Sequence, residues 1–131
     1  MDLGSSSALT IESVRLALGA AGMRQRVIAD NIANVNSLDH VRMRVVFEER
    51  LAEALSSMRN EASGESNGGP SLASLSGIQA EVEPDYTAGS KVELDEEMAR
   101  LSANSLRYHA LTKGLSRYLS IANIIASSSK G

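Results

Sequence analysis

Ile11, Val14, Leu18, Ala21, Gln25, Ile28, Ile32 and Val35 follow one another at alternating steps of three and four residues, with one polar member among them. That spacing describes a helix with a single apolar stripe, as in a coiled coil, and not a strand, whose faces alternate with a period of two. No Pro interrupts it, Ser7 or Thr10 can cap its start, and Glu12 falls where the helix dipole favours an anion. A helix over 11–36 is a rod of roughly 39 Å. A second long segment, 93–126 and roughly 51 Å as a helix, carries two adjacent seams. Leu94, Met98, Leu101, Ser105, Tyr108, Thr112, Leu115, Leu119 and Ala122 form one. The other shares Leu101, Tyr108, Leu115 and Ala122 and adds Leu111, Tyr118 and Ile125, so the helix can meet more than one partner. Ser90-Lys91-Val92-Glu93 has the spacing of a capping box. Asp95, Glu96 and Glu97 follow it and Arg100, Arg107, Lys113 and Arg117 lie further along, which reads as a solvated, dipole-matched helix.

Between the seams the pattern changes. Val41, Met43, Val45 and Phe47 alternate with His40, Arg42 and Arg44, which predicts a short strand or extended arm with the apolar residues on one face and His40, Arg42 and Arg44 on the other. Phe47, Leu51, Leu55 and Met58 predict a short amphipathic helix ending near Asn60. Residues 61–76, around Asn67-Gly68-Gly69-Pro70, read as a flexible loop. Ile78, Ala80 and Val82 predict a second strand able to pair with the first, stopped by Pro84. Phe47, Tyr86, Tyr108 and Tyr118 are the only aromatic residues in 131, so aliphatic side chains must build the core and an all-β fold is disfavoured. The expected fold is mainly α. Two long terminal helices form a coiled-coil-like hairpin around a short irregular, β-containing middle, divided as an N-terminal helix region (1–36), a middle arm (37–89) and a C-terminal helix region (90–131).

The chemistry of the side chains excludes several classes. There is no Cys, and His40 and His109 stand in different elements, so neither a disulfide nor a convergent metal site is expected. Serine-nucleophile and phosphate-binding Gly motifs are absent, so the reading is of a non-enzyme without cofactor or small-molecule substrate. Arg24, Arg26, Arg42 and Arg44 flank a turn, as in a DNA-reading unit. Against this, the element after the turn alternates, and 13 basic residues face 16 acidic ones, for a formal net charge of -3. Residues 1–10 lack the basic and apolar regions of a secretory signal, and no apolar run is long enough to span a membrane.

The first seam ends in Asn31-Ile32-Ala33-Asn34-Val35-Asn36. This resembles the N-terminal signature of the flagellar axial proteins, in which an apolar helix ends in Asn-Ile-Ala-Asn-x-Asn and is followed by Thr-Pro-Gly-Tyr. Here Ser37, Leu38, Asp39 and His40 replace those last four, so a looser connection, or a helix running on through Leu38, is expected. Val92-Glu93-Leu94-Asp95-Glu96-Glu97-Met98, continuing through Asn104-Ser105-Leu106-Arg107-Tyr108, resembles the C-terminal end of the flagellar basal-body rod proteins of the proximal-rod FlgB type. The resemblance covers 9–59 and 90–126.

It implies a structural subunit of the proximal rod that self-assembles through its terminal helices into a torque-transmitting tube. The implied partners are other flagellar rod proteins, the adaptor joining rod to membrane ring, and the flagellar type III export apparatus. The implied location is the periplasmic rod of the basal body, reached without a general signal peptide. The rival reading is a non-polymerising helical adaptor or export-associated protein. The expected assembly residues are Ile11, Val14, Leu18, Ile28, Asn31, Ile32, Asn34, Val35 and Asn36 on the first helix. On the second they are Leu94, Met98, Leu101, Asn104, Tyr108, Leu111, Leu115, Tyr118 and Leu119. Asn31, Asn34 and Asn36 admit two roles, ending the helix and hydrogen-bonding between subunits.

Overall fold

The computed structural model describes residues 3–63, 72–87, 89 and 91–131. In chain order it runs α1 (Leu3–Ala33), β1 (Met43–Val46), α2 (Glu48–Ser63), α3 (Leu72–Leu75), β2 (Glu81–Pro84) and α4 (Leu94–Ser128). The two long helices pack on each other and the middle elements lie against α1.

Helix α1 begins upstream of its heptad seam, so Ser7 and Thr10 are interior residues and not caps. The reason is a second apolar stripe. Leu9, Leu16, Ala17 and Ala20 recur at helical spacing on another face and pack with Phe47, Leu75 and Ile78, joined by Leu51, Ala54 and Ala80. One helix thus serves two partners: its heptad face meets α4 and its small-residue face meets the middle. At its C-terminal end α1 stops at Ala33, short of the expected Asn36. Asn34 N–H donates to Asp30 C=O (3.1 Å), Val35 N–H to Ile32 C=O (3.2 Å) and Ser37 N–H to Asn34 C=O (2.9 Å), a series of tight turns that uses up the helix-end carbonyls. Leu38 therefore stands beyond the helix, fully exposed.

Strands β1 and β2 pair antiparallel, with Val45 opposite Val82 and Arg44 opposite Glu83; the second strand is shifted from the expected run, with Ile78 and Ala80 ahead of it and Pro84 as its last residue, opposite Met43. Arg44–Glu83 and Arg50–Glu81 ion pairs lie along this ribbon. Two strands alone are marginal in water, so the ribbon depends on what it packs against. Val45, Val46 and Phe47 are buried, and Phe47 carries the chain directly into α2, whose Leu51 N–H donates to Phe47 C=O (2.9 Å).

Within the segment read as loop, Leu72–Leu75 instead form a helical turn. Leu75 is 2 % exposed: it fills the space beside Phe47 and Ala20, and that contact shapes the local backbone. The Asn67-Gly68-Gly69-Pro70 stretch and the Met58 side chain lie outside the described residues.

Phe47 is the largest side chain of this cluster, and truncating it opens a cavity that small neighbours such as Ala20 cannot fill. Phe47→Ala is expected to lower unfolding free energy by about 3–5 kcal/mol, measured as a shift of the urea midpoint.

Candidate assembly face and the lock at the helix bend

Helix α4 runs antiparallel to α1. Asn104 Nδ2 donates to Ala21 C=O (2.9 Å) and to Gln25 Oε1 (2.9 Å), while residues nearer the start of α4 lie beside later residues of α1. The seam that faces α1 is the one through Leu101, Leu111, Leu115 and Tyr118, all half-buried, with Asn104 buried among them. On α1, Ile28 is buried and Ile11, Val14, Leu18, Ile32 and Val35 are half-buried. The other seam of α4 is left open: Leu94, Met98, Tyr108 and Leu119 are each 44–49 % exposed. Leu106, Ile121, Ile124 and Ile125 are exposed further still.

The three asparagines separate. Asn31 is fully buried, and its amide grips the backbone of β1 in the manner of a neighbouring strand. Its Nδ2 donates to Met43 C=O (2.8 Å) and its Oδ1 accepts from Met43 N–H (3.0 Å). His40 Nε2 stands 3.2 Å from the same Oδ1. Asn34 is half-buried and bonds back to Asp30 C=O (2.8 Å), closing the helix end, while Asn36 is exposed.

At the bend, two charged residues depart from the sequence reading. Arg42, expected on the polar face of the first strand with His40 and Arg44, is 6 % exposed, and Glu97, expected in a solvated helix start, is fully buried. They pair with each other, Arg42 also pairs with buried Asp85, and Arg100 Nη1 reaches Glu97 at 3.0 Å. Alternation fails at Arg42 because β1 begins only at Met43, leaving the preceding residue to turn inward under α4. Asp85 N–H also donates to Arg42 C=O (2.8 Å), so backbone and side chain together tie the end of β2 to the entry of β1. Ser90 of the expected capping box lies outside the described residues; helix α4 starts at Leu94 with Glu93 at the N-cap, in an extended conformation, and no side-chain cap bond. Glu93, Asp95 and Glu96 are exposed, as read.

A cleft of about 310 Å³ between α1, β1 and α4 is lined by Arg24, Arg42, Arg44, Arg100 and Arg107. Each is paired within the chain: Arg24 and Arg107 with Glu48, Arg44 with Glu83, and Arg100 with Glu96 as well as Glu97. These arginines stitch helices and ribbon together and leave no concentrated positive field for an anion or a nucleic acid. Among the described residues no three His, Asp or Glu side chains are grouped to hold a metal ion, and no helix is long and apolar enough to cross a membrane.

The chain is similar to two curated proteins described as flagellar basal body rod protein FlgB. With that of Borreliella burgdorferi it shares 28 % identity over 119 residues, 82 % of this chain and 88 % of the relative. With that of Borrelia hermsii it shares 29 % over 130 residues, 89 % of this chain and 95 % of the relative. No family model matches the sequence, and no solved structure matches it.

Three outcomes follow from the lock. Arg42→Ala takes from buried Glu97 and Asp85 the cation they share, leaving Glu97 with Arg100 and Asp85 with Thr87, and is expected to cost about 3 kcal/mol, read from urea denaturation. Asn31→Ala leaves both Met43 backbone groups without their partner and is expected to cost about 1–3 kcal/mol in the same measurement. The Asp85 carboxyl is held below its ordinary range first by the Thr87 hydroxyl, then by Thr87 N–H and Arg42, against an opposing burial effect. A depressed folded pKa means stabilisation that is complete above the unfolded value of about 4 and fades as pH falls toward the folded one. Urea midpoints taken down through the acid range should therefore fall less steeply in Asp85→Asn than in the parent chain.

Proposed function

We propose that the chain belongs with the flagellar basal-body rod proteins of the FlgB type to which it is similar, and that it is a structural subunit of the proximal rod, built into the tube wall through its terminal helices. The observation that carries this reading is the unused seam. After the hairpin has formed, α4 still exposes Leu94, Met98, Tyr108 and Leu119 along one side and three isoleucines in its last turns. An apolar seam of that length on a long helix is suited to a neighbouring helix. Contacts of this kind between unlike patches repeat without closing, so they build rods and tubes.

The same geometry suits transmission of torque. The helices lie antiparallel, the buried Arg42–Glu97 pair ties the entry of β1 to the first turn of α4, and the Asn104 amide bonds α4 to Ala21 of α1. Other rod proteins, the adaptor to the membrane ring and the flagellar type III export apparatus are the partners this reading implies, and the periplasmic rod is its location. The proposed contact residues are those that the hairpin leaves uncovered, chiefly Leu94, Met98, Tyr108 and Leu119. The half-buried Ile11, Val14, Leu18, Leu111, Leu115 and Tyr118 shape the surface beside them.

The test is complementation of a strain lacking the gene. A chain without residues 94–128 should restore neither motility nor rods. Leu119→Asp, whose site is exposed, should keep the helical circular dichroism of the parent and still fail to restore swimming. Rod assembly by the truncated chain would remove this reading, and a chain found with the export apparatus but absent from purified basal bodies would favour the non-polymerising adaptor.

A further inference from the structure

Helix α4 changes character along its length. Its acidic residues all lie in the first turn, and from Met98 onward the chain carries Arg100, Arg107, Lys113, Arg117 and Lys130 and no Asp or Glu. The contact residues of the rod reading run from Leu94 to Leu119, and past them every residue of the last turns is exposed. At 3.6 residues per turn, Ser116, Ser120, Asn123 and Ser127 fall at i, i+4, i+7 and i+11 and make one narrow, uncharged polar stripe. Leu119, Ile121, Ile124 and Ile125, with half-buried Tyr118, spread over more than half of the circumference on the other side. Lys113 and Arg117 project on either side of the Ile124 position, and among the described residues neither has an ion-pair partner. The closing serines turn back on the helix: Ser127 Oγ donates to Ile124 C=O (3.0 Å), Ser128 Oγ to Ile125 C=O (2.9 Å) and Ser129 Oγ to Ala126 C=O (3.0 Å). Carbonyls that a helix end leaves bare are thus partly satisfied by the chain's own hydroxyls, which lowers the cost of placing this end beside an apolar medium.

We propose that in the free subunit the last turns of α4 lie on the surface of an anionic lipid bilayer, the isoleucines in the apolar boundary and Lys113 and Arg117 against headgroup phosphates. An interfacial helix is recognised by this combination of a broad apolar face and basic flanks. The helix rests on the bilayer and does not cross it, since no helix among the described residues is long and apolar enough to span one. Charge selects an anionic surface: this end of the chain offers only cations, against the net charge of -3 of the whole. Width selects a bilayer over an acidic partner helix. A helix pair buries a narrow seam and fixes its register through charged residues beside that seam. Here the apolar arc is wider than one seam, and the polar stripe that borders it is Ser and Asn. A bilayer covers a wide arc and demands no register. Long basic side chains at the edge of the arc can keep their stems with the lipid and their charges at the headgroups. The proposal goes beyond the rod reading and does not depend on it.

Flotation of the purified full chain with unilamellar vesicles tests this. The parent should float with vesicles of phosphatidylglycerol and phosphatidylcholine in equal parts, and on the order of tenfold more weakly with phosphatidylcholine alone. Added salt should weaken the first and leave the second unchanged. Lys113→Glu with Arg117→Glu should bring binding to the mixed vesicles down on the order of tenfold or more. Ile121→Asp with Ile125→Asp should remove it from both kinds of vesicle, while the circular dichroism of each variant in solution stays that of the parent. Leu94→Asp with Met98→Asp, which alters the exposed apolar residues at the opposite end of the same helix, should bind vesicles as the parent does. A parent that does not float, that binds the two kinds of vesicle equally, or that loses as much from the Leu94 and Met98 changes as from the isoleucine changes would overturn the proposal. Because the chain has no Cys, Ile125→Cys supplies a single thiol for a water-soluble maleimide. Protection of that thiol by phosphatidylglycerol vesicles supports the bilayer contact, and protection only in purified basal bodies would overturn it in favour of a protein neighbour.

Discussion

The Arg42–Glu97 pair is the constraint on which the arrangement of the subunit depends. It joins a residue just ahead of β1 to the first turn of α4, 55 positions later, and Asp85 at the end of β2 completes it on the other side. Three segments distant in sequence are thereby fixed at one point. Buried ion pairs add little net stability over an apolar contact of the same shape, but any arrangement that separates them leaves a charge stranded away from water. The consequence is geometric: α4 is set at one register along α1, and the seam it presents outward is decided by that register. Asn31, gripping Met43 from α1, sets the ribbon against the same place, and Asn104 holds the register two turns further along α4.

This arrangement makes α1 the shared wall of the molecule. Its heptad stripe is spent on α4, and its Leu9, Leu16, Ala17 and Ala20 stripe is spent on Phe47, Leu75 and Ile78. Helix α4 by contrast has one stripe covered and one open, and it continues into turns where Ile121, Ile124 and Ile125 are exposed. The asymmetry between a helix used on two sides and a helix used on one is what gives the subunit an inside and an outside.

The long helices and the pairing of the two short strands were legible in the sequence, because hydrophobic periodicity reports directly on which face of a regular element is buried. The double seam of α4 was legible too, although the pattern could not say which seam would be turned inward. The second stripe of α1 was hidden by its alanines, which carry little hydrophobic signal but allow close approach of the ribbon. Arg42 and Glu97 were misread for a common reason. A charged residue at an outward position, or in an acidic first turn, is ordinarily solvated, and only a partner brought from far along the chain changes that. Asn31 had two open readings, and the structure commits its amide to Met43 within the subunit.

By itself, then, the sequence determined that the chain is two amphipathic rods around a small ribbon, since period and side-chain type are local properties that hold in any environment. Only the tertiary structure decided which stripe faces which neighbour, where the helices stop and which charges are buried. Those depend on contacts between residues tens of positions apart, such as Arg42 with Glu97 and Leu75 with Phe47, whose energies exist only after the chain has closed on itself.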